Sequence, residues 1–265
     1  MEKYEFTGET KMVCGFELKR IRALIDIEDV CRAGEEGGFI EKESNLDHDG
    51  DAWVSGAACV YGAACVYGDA MVYGDARVSG DAMVYGDARV SGNARVYGYA
   101  WVSGDARVYG DARVYGDARV SGDAMVYGNA RVSGAAMVYG DARVSGNARV
   151  SGNARVYGNA WVSGDAMVYG NAWVSGDAWE KSPLYIQGTR FAAYMFSKNK
   201  FAIGCQHYTF AGWHKFWRKI AKRNGFTEAE QREYIAYFNL ACERYGKEQY
   251  KVSFEDNSGG EDVDE

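Results

Sequence analysis

The sequence predicts a mainly β protein built around a parallel β-helix. Residues 51–176 form 21 six-residue repeats without interruption. Every repeat has Ala in its second position, Val in its fourth and Gly in its sixth. The 265-residue chain contains 34 Gly but only one Pro, which excludes collagen and argues against a disordered linker. A rod of repeats is therefore expected in place of a conventional globular core.

The period of six residues fits neither an α-helix nor a hairpin meander, but it suits a solenoid in which each hexad supplies one strand and one corner. In Ala-x-Val, Ala and Val point to one side of the strand and residue x to the other. We expect the invariant Ala and Val inside, and residue x, which is Arg, Met, Trp or Cys, outside. Gly followed by Asp or Asn forms the corner, because Gly tolerates positive φ and Asp or Asn can hydrogen-bond the turn backbone.

This pattern resembles the hexapeptide-repeat family, in which an aliphatic residue, turn residues and a small residue recur every six positions. The resemblance implies a left-handed parallel β-helix with three hexads per coil, so 21 hexads give about seven coils. Strands ~4.8 Å apart make this rod about 34 Å tall. The chain also resembles uncharacterised phage and prophage hexapeptide-repeat proteins, on Arg20–Leu24, Gly37–Glu43 and Asn45-Leu46. That second resemblance implies a protein of the bacterial host cytoplasm.

The segments flanking the rod are expected to be caps, because an open coil exposes unpaired backbone and the Val/Ala interior. We predict a small N-terminal β cap at 1–50, the β-helix at 51–182, a C-terminal α+β cap at 183–254 and an acidic disordered tail at 255–265. The C-terminal cap is predicted to contain three strands, at 184–186, 191–196 and 201–203, of which the last two form a β-hairpin, followed by two helices.

The two helices of the C-terminal cap are predicted from periodicity and capping. The first has an apolar stripe: Trp213, Phe216, Trp217 and Ile220. Its other side is basic and could contact nucleic acid or an acidic partner, although such a charge set is more often a solvated face. The basic residues are Lys215, Arg218, Lys219, Lys222 and Arg223. The second helix opens with a capping box formed by Thr227 and Glu230.

Stacking every third hexad sorts the outward residues x into three faces. Face 1 carries Trp53, Met71, Arg89, Arg107, Met125, Arg143 and Trp161. Face 2 carries Cys59, Arg77, Arg95, Arg113, Arg131, Arg149 and Met167. Face 3 carries Cys65, Met83, Trp101, Arg119, Met137, Arg155 and Trp173. Apolar outward residues cluster at both ends of the rod, where we expect the caps to cover them.

Face 2 is a candidate binding surface. Its five arginines (Arg77, Arg95, Arg113, Arg131 and Arg149), flanked by Tyr97 and Tyr115, are suited to an anionic or planar ligand. One alternative is that the charges form ion-pair ladders that keep the rod soluble, since the repeats contain eleven Asp against ten Arg. Another is that an acidic corner column imitates a nucleic-acid backbone; its members are Asp51, Asp69, Asp87, Asp105, Asp123 and Asp141.

Face 3 is a candidate oligomer interface. Its apolar residues Met83, Trp101, Met137 and Trp173 would form a larger exposed patch than monomers usually leave open. Packing of such faces about a symmetry axis, as the family resemblance implies, predicts a homo-oligomer, either a dimer or a trimer. The alternative is that terminal segments fold back over the patch.

The sequence argues against an enzyme. Hexapeptide-repeat acyltransferases use a histidine base and the related hydratases bind zinc through three histidines, but residues 51–176 contain no His. His48, His207 and His214 lie in the predicted caps. Cys205 and His207 would share a face of one strand, but no orienting carboxylate is evident and we interpret the pair as structural. We predict no catalytic residue, no metal and no cofactor.

Net charge and cysteine content limit the classes of partner and the cellular compartment that we expect. A formal net charge of −7 disfavours direct nucleic-acid binding, and no apolar stretch is long enough for a membrane span. Six cysteines without CxxC spacing are typical of reduced thiols in a cytoplasm. The predicted function is therefore a non-enzymatic binding or scaffold protein with a protein partner, for example a host-defence or DNA-processing protein that it inhibits. The alternatives are an acyltransferase-like enzyme and a binder of small anionic ligands such as nucleotides.

Overall fold

The computed structural model describes residues 2–254; Met1 and the predicted acidic tail at 255–265 lie outside the described residues. Its main body is a parallel β-solenoid of about eight turns, which confirms the predicted fold class. The extra turn relative to the expected seven arises because the segments before and after the hexads each add strands to the faces.

Each face of the rod is one parallel sheet. The strands of face 1 are Trp53–Val54, Met71–Val72, Arg89–Val90, Arg107–Val108, Met125–Val126, Arg143–Val144, Trp161–Val162 and Ala178–Trp179. Those of face 2 are Glu36–Ile40, Cys59–Val60, Arg77–Val78, Arg95–Gly98, Arg113–Gly116, Arg131–Val132, Arg149–Val150 and Met167–Val168. Those of face 3 are Cys65–Val66, Met83–Val84, Trp101–Val102, Arg119–Val120, Met137–Val138, Arg155–Tyr157 and Trp173–Ser175.

The interior of the rod follows the predicted alternation. The Ala and Val of every hexad are at most 1 % exposed, so they form the continuous core. Neighbouring strands pair across 18 residues of sequence, with Trp101 opposite Arg119 and Val102 opposite Val120. The amide of Trp101 donates to the Ala118 carbonyl at 2.9 Å, and equivalent bonds repeat from coil to coil. Three hexads therefore make one coil.

The N-terminal segment forms a β cap that extends face 2. A hairpin of Tyr4–Val13 and Phe16–Ala23 pairs antiparallel with Glu36–Ile40, which then runs parallel to Cys59–Val60. A Cβ at Gly37 would lie 2.6 Å from Ile21 Cγ1 and 2.7 Å from the Val54 carbonyl oxygen, so only Gly fits there. A short 3₁₀ helix, Glu43–Asn45, follows.

The stretch after Gly37 completes the first coil. The Asn45 amide donates to the Ala64 carbonyl at 2.8 Å, and the Glu41 carboxylate accepts from the Gly62 amide at 2.7 Å. Leu46 is fully buried and pairs in parallel with Val66. These contacts close the open end of the rod.

The C-terminal cap has one strand more than predicted. Its antiparallel sheet contains Tyr185–Gln187, Ala192–Ser197, Lys200–Ile203 and Gln206–Thr209. Two helices follow, α1 (Phe210–Arg223) and α2 (Glu228–Arg244), and then a 3₁₀ turn at Glu248–Tyr250. The last strand alternates in burial without an apolar face, which is why the sequence did not reveal it.

Helix α2 begins as predicted. Thr227 Oγ1 accepts from the Glu230 amide at 3.2 Å, and Glu230 Oε2 accepts from the Thr227 amide at 2.7 Å. Tyr234, Phe238, Ala241 and Cys242 are its buried residues. None of the helices within residues 2–254 is both long and apolar enough to cross a membrane.

The expectation that caps cover the apolar residues at both ends is confirmed for Trp53 and Cys59 at the N-terminal end and for Trp179 at the C-terminal end, but not for the other C-terminal residues. At the N-terminal end Trp53 and Cys59 are buried, Cys59 beneath Leu18 and Phe39 of the cap. At the C-terminal end Trp161, Met167 and Trp173 are 43 %, 40 % and 37 % exposed. The prediction is therefore wrong for these three residues, which the C-terminal cap leaves partly exposed.

Candidate functional site

The arginines of face 2 lie in one line. Their strands pair in register, Arg77 with Arg95, Arg95 with Arg113, Arg113 with Arg131 and Arg131 with Arg149. Successive side chains are therefore one strand spacing apart, ~4.8 Å. Arg95, Arg131 and Arg149 are exposed, whereas Arg77 and Arg113 are half-buried. The structure thus brings all five predicted binding arginines together as a column.

Tyr97 and Tyr115 form one edge of this column. Their rings are stacked at 5.0 Å between centroids with an interplanar angle of 1°. Burial raises the pKa of Tyr97, the neighbouring Tyr115 adds to the rise, and Arg113, Arg131 and Arg95 oppose it. The Tyr97 hydroxyl is therefore held neutral beside the guanidinium groups, where it can donate or accept hydrogen bonds.

The corner before face 2 is partly neutral. Asn129 donates to Asn147 Oδ1 at 3.3 Å, and Asn147 donates to Asp165 Oδ1 at 3.0 Å, so the amides form a side-chain ladder along the rod.

Within residues 2–254 the ion pairs all lie in the two caps, and no arginine of the rod takes part in one. The interpretation of the repeat charges as ion-pair ladders is therefore wrong for this structure.

The acidic corner column lies along the edge of face 1. All six of its carboxylates are exposed; they belong to Asp51, Asp69, Asp87, Asp105, Asp123 and Asp141. Asp69 Oδ1 accepts from the Asp51 amide at 3.1 Å, so at least the first coil uses this column to satisfy backbone at the corner. The rod therefore has an acidic edge and a basic face on different sides.

Face 3 combines apolar side chains with two guanidinium groups that lie on them. The Arg119 guanidinium is 4.5 Å from the Trp101 ring centroid, and that of Arg155 is 4.6 Å from Trp173. Met83 and Trp173 are each 37 % exposed, while Trp101 and Met137 are half-buried. In these cation–π pairs each guanidinium group covers part of an indole ring. Part of the apolar surface of face 3 is therefore shielded from water within a single chain.

Within residues 2–254, the terminal segments leave this part of face 3 open. Tyr99, at the corner beside Trp101, is 63 % exposed. The alternative that a terminal segment folds back over the patch is therefore wrong for the residues that the structure describes. Tyr99 was missed as a candidate residue, although its hexad is the only one of the 21 that begins with Tyr.

The histidines and Cys205 have structural neighbours that account for them. His48 Nδ1 accepts from the Lys3 amide at 3.1 Å and the ring stacks on Tyr4. His207 stacks on Phe196 with 4.3 Å between centroids. Cys205 lies in the turn before the strand that carries His207, so the two do not share one strand face as expected. Among the described residues, no group of three His, Cys, Asp or Glu is placed to hold a metal ion.

Eight stretches of the rod match one family model, whose description is YdcK Beta solenoid repeat. The rod is similar to this repeat. The matched stretches are 76–91, 88–104, 106–122, 118–134, 124–140, 136–151, 148–164 and 160–176, less than half of the chain. The predicted resemblance to repeat β-helix proteins is thereby confirmed, while the resemblance to phage proteins stays a prediction. No curated protein matched the chain.

Proposed function

We propose that this is a non-enzymatic binding or scaffold protein whose rod presents the arginine column of face 2 to an acidic macromolecular partner. The observation that carries the proposal is the in-register alignment of the five arginines on one sheet. Arginine is weakly hydrated and its fork of donors matches carboxylates, which suits it to interfaces. An acidic partner also relieves the repulsion between guanidinium groups stacked ~4.8 Å apart.

The partner we propose is a protein. Tyr97 and Tyr115 offer stacked amphipathic rings beside the arginines, an arrangement that suits the mixed chemistry of protein surfaces. The resemblance to phage and prophage proteins supports a partner in the cytoplasm of a bacterial host, such as a defence or DNA-processing protein that the rod inhibits by occupying it.

The proposal is tested by affinity capture from bacterial cells with quantitative mass spectrometry. The test variant reverses three charges on face 2: Arg95→Glu, Arg113→Glu and Arg131→Glu. The control reverses three exposed charges on face 1: Arg89→Glu, Arg107→Glu and Arg143→Glu. We expect a partner that the wild type and the control retain and the face 2 variant loses. Equal loss from both variants, or no partner at all, would reject face 2 as the binding surface.

We further propose that face 3 packs against a second copy of the chain. Its apolar side chains include the exposed Met83 and Tyr99 and the half-buried Trp101 and Met137. Arg119 lies between the last two. The double variant Trp101→Glu with Met137→Glu should lower the mass measured by light scattering to that of a single chain. An unchanged mass would exclude this interface.

A further inference from the structure

Helix α1 has two sides of different chemistry. Trp213, Ile220 and Ala221 are buried against the cap. The opposite side exposes four basic residues at i, i+4, i+7 and i+8, namely Lys215, Lys219, Lys222 and Arg223. Phe216 was predicted to belong to the apolar stripe but is 44 % exposed, beside these cations. The Lys215 ammonium lies 5.0 Å from its ring centroid. We name Lys215, Phe216, Lys219, Lys222 and Arg223 the α1 patch.

The α1 patch is not needed to hold the cap together. Arg218, on the flank of the same helix, makes contacts that stabilise the cap. Its Nη2 donates to the Phe254 carbonyl at 3.0 Å, and its guanidinium lies 4.5 Å from the Trp217 ring centroid. His214 Nδ1 likewise lies 3.1 Å from the Tyr250 carbonyl oxygen. The side chains that serve the fold are thus separate from those that point outward.

Two like-charge pairs of the α1 patch lower the stability of the helix that carries it, although the helix dipole favours Lys222 and Arg223 in the last turn. Lys215 with Lys219, and Lys219 with Arg223, are like charges one turn apart, and such pairs each cost about 0.2–0.5 kcal/mol. Helix α1 contains no acidic residue that would offset them. The exposed Phe216 ring adds apolar surface in contact with water. These costs in a chain of net charge −7 favour a role in binding.

We propose that the α1 patch binds an acidic protein segment in which carboxylates flank an apolar side chain, the carboxylates facing the lysines and the apolar side chain packing on Phe216. The patch spans nine residues of helix, Lys215 to Arg223, and the rise between the first and the last is about 12 Å at 1.5 Å per residue. About four residues of an extended peptide cover that length. This site lies on the C-terminal cap and does not depend on the face 2 proposal.

Two features favour an acidic peptide over a nucleic acid. Proteins that hold single strands without sequence preference stack successive bases on several aromatic side chains, whereas the exposed side of α1 offers Phe216 alone. A long polyanion would also extend beyond the patch toward a chain that is acidic as a whole. A short acidic segment ends within the patch and avoids that repulsion.

The experiment measures binding of a fluorescein-labelled peptide of glutamates around a central leucine pair, by fluorescence anisotropy with the full-length protein. We expect binding that weakens as salt is raised. The variant Lys215→Glu, Lys219→Glu, Lys222→Glu should lower affinity by about tenfold or more, and Phe216→Ser by about fivefold. The control makes the same charge change at three exposed lysines elsewhere in the cap region: Lys181→Glu, Lys198→Glu and Lys200→Glu. It should stay within about twofold of the wild type.

Four outcomes would overturn the proposal. They are no binding by the wild type, equal losses in the patch variant and the control, tighter binding of a single-stranded oligonucleotide than of the peptide, and binding only by a chain shortened to end at Phe254. The last outcome would mean that the chain's own acidic end occupies the patch. If the triple variant does not fold by circular dichroism, the neutral variant Lys215→Gln with Lys219→Gln is used, and Phe216→Ser provides an independent measure.

Discussion

At the scale of single residues, the corner glycines explain why the sixth position of the hexad never varies. From Gly56 to Gly176 their φ angles lie between +59° and +78°, a region that L side chains rarely adopt. Most of them also stack on the glycine of the next coil, so that a Cβ at Gly110 would lie 3.0 Å from the Gly128 amide nitrogen. Two separate constraints, backbone conformation and close approach, therefore act on the same residue.

These constraints can be separated by comparing two substitutions. Gly110→Ala introduces both the left-handed strain and the contact with Gly128, whereas Gly158→Ala, at φ +59° with nothing within 4 Å of its Cβ, introduces only the strain. The strain costs about 1–2 kcal/mol, and we expect Gly110→Ala to lower the free energy of unfolding in urea by clearly more than Gly158→Ala. Equal losses would show that stacking of corners does not matter.

At the scale of elements, the pairing register of the last strand shifts by one residue at the C-terminal end of the rod. Trp161 pairs with Ala178 and Val162 with Trp179, so the last strand is displaced from the regular spacing that would place Trp179 opposite Trp161. Because side chains alternate along a strand, this shift turns Trp179 from the outward to the inward position. Trp179 is 4 % exposed and lies in the core that joins the rod to the C-terminal cap.

The contrast between Trp179 and Trp161 provides a matched test. Trp179→Ala removes a buried indole and should lower the free energy of unfolding by about 3–5 kcal/mol. Trp161→Ala removes a side chain that is 43 % exposed in the neighbouring strand and should cost much less. Urea unfolding followed by circular dichroism measures both losses. A Trp161→Ala variant as unstable as Trp179→Ala would contradict the capping role of Trp179.

At the scale of the whole molecule, the uniform interior leaves the length of the rod unspecified. Every coil buries the same Ala and Val, so any hexad can pair with any other, and the two caps determine where the rod starts and ends. The outward columns depend on the count of hexads. Removing a full coil keeps each column on its face, whereas removing one hexad moves all later residues to another face.

This reasoning predicts the outcome of two deletions. A chain without residues 105–122 should fold, by circular dichroism, and keep the remaining face 2 arginines in line. A chain without 105–110 should also fold, but its columns are exchanged. Arg113, Arg131 and Arg149 move to face 1, where they continue the column of Arg89, while Arg119 and Met137 move to face 2. Failure of the first chain to fold would contradict three hexads per coil.

The hexad repeat is sufficient to predict the parallel β-helix, the number of its coils to within one turn, and which outward residues lie on each face. It could do so because side-chain alternation in Ala-x-Val and a constant period of six residues leave no freedom in which residue stacks on which. The same logic predicts that the arginines of face 2, from Arg77 to Arg149, lie in one line. Local signals sufficed as well for the capping box of Thr227 and Glu230, whose partners are three residues apart.

Outside the periodic region, strand number, side-chain orientation and exposure depend on tertiary packing. The inward turn of Trp179, the fourth strand of the cap sheet, the exposure of Phe216 and the uncovered Trp161 all depend on how the caps dock, and docking joins residues far apart in sequence. The placement of Arg119 on Trp101 is likewise a choice among rotamers that the repeat does not specify. A periodic sequence fixes the contacts that recur in every coil, whereas contacts made once must be read from the packed molecule.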